Sequence, residues 1–431
     1  MNIFSALSRQ QREAIGLLQI GTFLEYFDLM LYIHMAVLLN ELFFPKTDPH
    51  TAALLTAFAF CSTYVLRPFG ALIFGYIGDN IGRKTTVIIT TMMMSISCVI
   101  MANLPPYAEI GISAAWVVTI CRMVQGMSSM GEIIGCQIYV TELIKPPSQY
   151  PAVALIGIAS ALGAVASLGI ATLVTSVEFN WRIAFWIGAG IAVVGSVART
   201  RLRETPEFVD AKRRMRGLER KTSKKTERII STNEKTNKKT ALCSFLINLV
   251  WPLFFFLVYV YFSNILKNDF GFTPAQIIQN NFYVSIFQLL GFFTWMFSSY
   301  KVHPLRILRW KVFFSFVLVL FIPTFLIHNQ SAVHLFLLQC IIIFLSPGAL
   351  PAEPIIIKSF PIFRRFTYAT FIYALSRALM YVITSFSIIY LTEAFGANGL
   401  LIIFIPTCIG YLYGIIHFGK LEKLNTTSVV S

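Results

Sequence analysis

Stretches of about twenty predominantly apolar residues recur along nearly the whole of this 431-residue chain. The hydrocarbon core of a bilayer is about 30 Å thick, and a helix that crosses it needs roughly 20 apolar residues. Hydrophobic residues make up 56% of the sequence and charged residues only 13%, whereas soluble domains carry about 25% charged residues. The repeated apolar stretches therefore predict an all-α integral membrane protein.

Lipid offers no hydrogen-bond partners to the backbone, so each apolar stretch is expected to form a helix, whose backbone hydrogen bonds are internal. The stretches therefore predict twelve transmembrane helices. We expect them at residues 17–39, 52–76, 85–103, 112–142, 151–176, 181–200, 241–265, 277–299, 311–328, 333–350, 366–391 and 398–418.

The sequence carries no pattern of an enzyme or of a metal site. Its seven cysteines form no CxxC pair and nearly all fall inside apolar stretches, where cysteine behaves as a small hydrophobe. GxSxG, HExxH and Walker motifs are missing from the sequence. We therefore expect no metal, no cofactor and no enzymatic activity.

The basic residues are unevenly distributed among the predicted loops. Fifteen of the 35 lie between Arg199 and Lys239, and only Lys46, Arg182 and Lys267 lie in the loops of the opposite face. Cytoplasmic loops carry the excess of Lys and Arg. We therefore expect a multi-pass protein of the bacterial inner (plasma) membrane with both termini in the cytoplasm.

The basic segment also divides the chain. Residues 1–200 form an N-terminal half of six helices, 201–240 a cytoplasmic basic linker, and 241–431 a C-terminal half of six helices. Helices of the same membrane flank the linker and Phe208 is the one aromatic residue among its charges, so we expect no nucleic-acid binding. Two halves of six helices are typical of a transporter built from repeats.

A charged loop follows the second predicted helix and reads "GYIGDNIGRK". Its fixed positions are Gly75, Gly78, Asp79, Gly82, Arg83 and Lys84. The spacing resembles the loop signature of the major facilitator superfamily, which implies the twelve-helix fold of that family. The resemblance also implies a latch: glycines let two helix ends approach closely, Asp79 sits at the N-terminus of the eleventh helix, and Arg83 bridges to its neighbours. These residues form the predicted cytoplasmic gate.

Further motifs narrow the resemblance to the metabolite:proton symporters, which carry proline and betaine, 2-oxoglutarate, citrate or shikimate with protons. They are "FLEYFDLMLY", "LRPFGALIFGYIGDNIGRK", "CRMVQGMSSMGE", "NWRIAFW" and "LRETPEF", all in the N-terminal half. The stretch after the eighth helix, "MFSSYKVHPLRILR", lacks the aspartate and the glycine pair of a second loop signature. A matching latch on that side is therefore in doubt.

Six charged residues stand inside predicted helices, where each costs roughly 2.5 to 3.5 kcal/mol at the centre of the bilayer. They are Glu25, Asp28, Arg67, Arg122, Glu132 and Arg377. Three acids and three bases allow full pairing. At 1.5 Å per residue, Asp28, Arg122 and Arg377 lie about 15 Å from the start of their helices, near the midplane.

The predicted roles follow from depth and charge. Asp28 is our first candidate for proton coupling, Glu132 the second, and Glu25 a third. Arg122 and Arg377, one from each half, are predicted to bind a substrate carboxylate, together with Arg67, because an arginine fork matches a carboxylate. For Glu25 and Arg67 a structural ion pair is an equally good interpretation.

Trp251 in the seventh helix is a candidate to hold a quaternary ammonium by cation-π attraction.

The sequence therefore favours a proton-coupled symporter of a small carboxylate-bearing solute, with a zwitterion of the proline/betaine type preferred. A dicarboxylate symporter is the alternative, and the degraded second loop signature leaves open a sensor on the same scaffold that binds without transporting. The expected partners are the solute, protons and the bilayer, and we expect a monomer.

Overall fold

The computed structural model describes residues 7–44, 64–176, 180, 182–219, 237–328 and 331–430, and these residues form helices and no strand. We number the long helices α1 to α12. Their bounds are α1 Arg9–Phe43, α2 Arg67–Asn80, α3 Arg83–Asn103, α4 Ile112–Glu132 with Ile134–Leu143, α5 Gln149–Ser176, α6 Arg182–Arg199, α7 Lys238–Phe256 with Leu257–Tyr261 and Phe262–Asn268, α8 Pro274–Ser298, α9 Pro304–His328, α10 Ala332–Leu345, α11 Arg365–Phe395 and α12 Gly399–Val430.

Each predicted apolar span corresponds to one of these helices. The first part of the second span, residues 52–63, lies outside the described residues, as do residues 220–236 of the predicted linker. Ahead of that gap, the linker contains a helix at Pro206–Glu219. Several helices extend beyond the apolar stretch that predicted them, because polar residues continue a helix past the hydrocarbon region.

Seven helices in the described part are long and apolar enough to cross a bilayer. They are α1, α3, α5, α7, α9, α11 and α12. Of the others, α2 and α10 have 14 residues each. Polar side chains lower the hydropathy of α4 and α8, and several of those side chains build the sites described below.

The N-terminal and C-terminal helices meet along two seams, α2 against α11 and α5 against α8. Glycines permit the first seam. A Cβ atom on Gly75 would lie 2.8 Å from the Cα of Thr367, and one on Gly78 would lie 2.6 Å from the ring of Phe366. Both distances are shorter than a carbon contact allows, so only glycine fits there.

Two C-terminal helices are interrupted in the middle of the bundle. The α7 helix contains a π-helical turn at Leu257–Tyr261, five residues after Pro252. The α10 helix ends at Leu345, and a separate short helix occupies Glu353–Lys358. The freed carbonyls find donors, since Trp295 Nε1 lies 3.0 Å from the oxygen of Phe344 and Ser315 Oγ lies 3.1 Å from that of Leu345. Broken helices of this kind are tolerated at membrane depth where they line a cavity.

One end of the bundle holds the start of α1 and the loops that join α2 to α3, α4 to α5 and α10 to α11. Gln11 Nε2 donates to the oxygen of Leu143 at 3.1 Å, and Arg83 Nη2 donates to the oxygen of Ile362 at 2.7 Å. We call this end the terminal face. It is the face that the distribution of basic residues predicts to be cytoplasmic.

Candidate functional site

A central cavity lies between the two halves and contains about 1100 Å³ of space not filled by atoms, part of it open to solvent. Both halves contribute to its lining, α1, α4 and α5 from one and α7 to α11 from the other. Its main polar and aromatic side chains are Tyr26, Gln137, Asn248, Trp251, Tyr259, Gln288, Lys311, Glu353, Tyr373 and Arg377.

Of the three arginines predicted to bind substrate, Arg377 lines this cavity. Its guanidinium carbon lies 4.1 Å from the ring centre of Tyr373 and 4.6 Å from that of Trp251. Among the described residues it makes no ion pair, and its Nε lacks a hydrogen-bond partner. Two aromatic faces therefore orient this buried guanidinium.

Trp251 and Arg377 are thus brought together, but in an arrangement that the sequence did not predict. The guanidinium covers one face of the indole, and Phe255 stacks on Trp251 with 5.2 Å between the ring centres. The indole holds an arginine in this structure, rather than presenting an open face to a ligand.

Asp28 and Arg122 form a pair inside the N-terminal half. Arg122 Nη1 donates to Asp28 Oδ2 and to Gln125 Oε1, each at 2.9 Å, and the Cys98 thiol lies 3.7 Å from Asp28 Oδ1. Neither partner is among the residues that line the cavity. The structure therefore does not bring Arg122 and Arg377 to one surface, and contact of Arg122 with substrate stays a prediction.

Glu25 and Arg67 form a second, looser pair. The Arg67 Nη2 and Glu25 Oε1 atoms are 3.5 Å apart, and the guanidinium carbon lies 4.6 Å from the ring centre of Tyr64. Both carboxylate oxygens of Glu25 are buried without a hydrogen bond. Glu25 is therefore the least well satisfied acid of the N-terminal half.

Glu132 pairs with an arginine that the sequence analysis had counted only among the basic residues from Arg199 to Lys239. Arg199, the last residue of α6, is fully buried and donates to Glu132, while Thr90 and Thr91 donate to the same carboxylate. Arg199 Nη2 also donates to the oxygen of Leu18 at 2.7 Å. The sequence signal that could have identified Arg199 is its position directly after the apolar run of α6.

The loop signature lies at the terminal face, where Asp79 contacts the start of α11. Its carboxylate accepts hydrogen bonds from the backbone N–H of Phe366 at 3.0 Å and of Thr367 at 2.9 Å, and from the Thr367 hydroxyl at 2.8 Å. These backbone groups are among the unpaired N–H groups of a helix N-terminus. The contact joins the two halves.

Arg83 extends this junction. Its guanidinium donates to Glu142 at 3.1 Å, to Asp79 at 3.2 Å and to the oxygen of Ile362 at 2.7 Å. Arg365 of the C-terminal half donates to the same Glu142 at 3.0 Å and to Glu207 at 2.8 Å. Three charged groups of the N-terminal half, one of the linker and one of the C-terminal half thus share a network that is buried except at Glu207.

Glu204 fixes the loop between α2 and α3 through hydrogen bonds with its backbone. Its carboxylate accepts from the backbone N–H of Arg83 at 3.0 Å and of Lys84 at 3.3 Å, and it lies against Gly82, where a side chain would collide with it. Glu142, Glu204 and Arg365 were not predicted, although Glu204 belongs to the quoted motif "LRETPEF" and Glu142 to the end of the fourth predicted helix.

Comparison with known proteins identifies a family and several relatives. The family model described as Major Facilitator Superfamily matches residues 18–361. A proline/betaine transporter of Salmonella typhimurium is 33% identical over 204 residues, and an inner membrane metabolite transport protein of Escherichia coli is 35% identical over 201 residues. These matches span 46% and 44% of this chain and only 41% and 45% of the relatives.

Solved structures resemble the whole chain. A proton:xylose symporter bound to 6-bromo-6-deoxy-D-glucose superimposes with a TM-score of 0.76 at 14% identity, covering 95% of both chains. A human organic anion transporter superimposes with a TM-score of 0.67 at 16% identity, covering 95% of this chain and all of that one. At such low identity the likeness concerns the fold alone.

Proposed function

Because the chain belongs to the major facilitator superfamily, and is therefore a multi-pass membrane transporter and not an enzyme, we propose that it is a proton-coupled symporter of a small zwitterion that bears a carboxylate. Transport proceeds by alternating access of a central site. The proposed location is the bacterial inner membrane, with the terminal face in the cytoplasm.

The observation that carries this proposal is the unpaired guanidinium of Arg377 in a cavity between the two halves. A buried cation without an acid partner is costly, and a carboxylate ligand would remove that cost by accepting two parallel hydrogen bonds. Proline and betaine, which the names of the matched transporters contain, both carry one carboxylate.

Asp28 is the proposed proton carrier, acting through Arg122. Protonation of Asp28 would remove the charge that holds the Arg122 guanidinium at 2.9 Å, so that α1 and α4 are free to move relative to each other. Tyr26 on α1 and Gln137 on α4 line the cavity, so such a movement changes the substrate site. Proton binding and substrate binding are thereby linked.

The network of Asp79, Arg83, Glu142 and Arg365 is the proposed cytoplasmic gate. It joins the halves at the terminal face by charge-assisted hydrogen bonds, which can be broken and remade as the halves rock. Gly75, Gly78 and Gly82 allow the close approach, and Lys84 contributes its backbone N–H.

A dicarboxylate symporter is the second candidate, favoured by one observation. Lys311 on α9 is buried, lines the same cavity and makes no ion pair among the described residues. Arg377 and Lys311 together would offer two cations to a ligand with two carboxylates.

Uptake of radiolabelled betaine and 2-oxoglutarate into proteoliposomes tests the proposal. A proton moving inward along a 100 mV potential releases about 2.3 kcal/mol, which at equilibrium supports about fiftyfold accumulation of a zwitterion. We expect betaine to accumulate and an uncoupler to abolish the gradient. Binding without accumulation would identify a sensor, and accumulation of 2-oxoglutarate alone would favour the dicarboxylate symporter.

A further inference from the structure

Glu353 is a buried acid in the cavity that neither motif nor apolar pattern identifies. It begins the short helix Glu353–Lys358, directly after the break that follows α10. Its side chain lines the cavity, and the residue is 5% exposed. Within the part of the chain that the structure describes, no ion pair or hydrogen bond to its carboxylate is found.

Arg377 carries the opposite charge in the same cavity, but the two residues form no ion pair. Their charges interact electrostatically, although no pair of their atoms comes within the 4.0 Å of a salt bridge. The cavity therefore presents one acid and one guanidinium, each buried and each without a bonded partner. Such charges persist in a membrane protein where they meet a ligand or line a pathway.

The aromatic side chain predicted to hold a quaternary ammonium is already occupied. Trp251 carries the Arg377 guanidinium on its face and Phe255 beside it, so its indole is not open to a quaternary ammonium. A ligand with a cationic end finds its complement at Glu353 instead.

We propose that Glu353 binds the cationic end of the transported zwitterion while Arg377 binds its carboxylate, so that the C-terminal half recognises both charges. This inference rests on the proposed function, and it names the group that selects a zwitterion over a dicarboxylate. A second carboxylate would gain Lys311 but would meet the like charge of Glu353.

Binding to the purified parent protein provides the first test, with betaine and its carbon isostere 3,3-dimethylbutanoate, an anion in which carbon replaces the quaternary nitrogen. The two ligands share shape and carboxylate and differ only in the cationic charge. We expect at least a tenfold lower Kd for betaine. Equal Kd values would overturn the inference without any variant.

The Glu353→Gln variant provides the second test. It should bind 3,3-dimethylbutanoate as the parent does and lose the preference for betaine, whereas Glu353→Asp should retain a preference. Glu393→Gln, which removes an exposed acid of α11 in the same half, is the matched control and should leave both Kd values unchanged. A preference for betaine that survives in Glu353→Gln would overturn the inference and leave the proposed function intact.

Failure of the proposed function has a different signature. If the parent binds neither betaine nor proline but binds 2-oxoglutarate, both the zwitterion and the role of Glu353 are refuted.

Discussion

The two halves of the molecule treat buried charge in opposite ways. In the N-terminal half, Asp28, Glu25 and Glu132 each pair with an arginine of the same half. In the C-terminal half, the buried charges of Lys311, Glu353 and Arg377 form no ion pair among the described residues, and all three line the central cavity.

This difference indicates separate roles for the two halves in transport. An acid and a base paired within one half have two states, bound and separated, because protonation of the acid releases the base without a ligand. Unpaired charges that face a cavity are instead complements for a charged ligand. The N-terminal half is therefore suited to proton coupling and the C-terminal half to recognition of the solute.

The largest effect is expected when one buried basic residue in each half is replaced by methionine. Arg199→Met leaves Glu132 as an uncompensated buried charge, and breaking a buried pair costs about 3 to 5 kcal/mol. Lys311→Met removes a buried cation without a paired acid and should leave stability unchanged or raise it. Thermal denaturation of both variants in the same detergent measures the difference. Equal losses of Tm would contradict the division between paired and unpaired charges.

An intermediate effect separates affinity from coupling. Arg377→Lys should raise the Kd for betaine about tenfold to a hundredfold, since a point charge neither forks onto a carboxylate nor stacks between Trp251 and Tyr373. Arg122→Lys should leave that Kd nearly unchanged and alter its dependence on pH. Ligand titrations at several pH values distinguish the two variants. A large, pH-independent loss of affinity in Arg122→Lys would return Arg122 to the substrate site, as the sequence predicted.

The smallest expected effect concerns the terminal face, where the two halves meet. Asp79→Asn weakens a contact of a carboxylate with a helix N-terminus, a contact worth about 0.3 to 2 kcal/mol. A cysteine introduced at the cavity residue Gln137 should be labelled faster by a reagent applied from the cytoplasmic side. The neighbouring Asn80→Ala, which removes an exposed side chain bonded only within α2, is the control. Unchanged labelling in Asp79→Asn would refute its role in the gate.

The fold could be predicted from the sequence almost completely, because the length of each apolar run is set by the thickness of the bilayer. The loop signature was recognised through its resemblance to the superfamily, which implied the contact of Asp79 with the start of the eleventh helix. What the sequence could not supply was the partner of each charge. Arg199 was counted only as the first of the basic residues that end at Lys239, whereas the structure buries it beside Glu132.

The two charges missed in the C-terminal half have the same cause. The predicted tenth helix ended at residue 350, so Glu353 appeared to lie beyond it, but the break after Leu345 returns the chain to the cavity. Lys311 stood at the first residue of the predicted ninth helix. That helix begins at Pro304, and Lys311 therefore lies about two turns inside it. Helix breaks and polar extensions are tertiary features that hydropathy does not record.

Proton coupling through Asp28 can be measured by paired uptake and exchange experiments in proteoliposomes with an imposed pH gradient. Asp28→Asn should abolish uphill accumulation of betaine while exchange of labelled for unlabelled betaine continues, because exchange requires no net protonation. Glu25→Gln and Glu132→Gln serve as comparisons on the other two acids of the N-terminal half. If accumulation persists in Asp28→Asn and disappears in either comparison variant, Asp28 is not the proton carrier. Accumulation in the parent that is independent of the pH gradient would refute proton coupling.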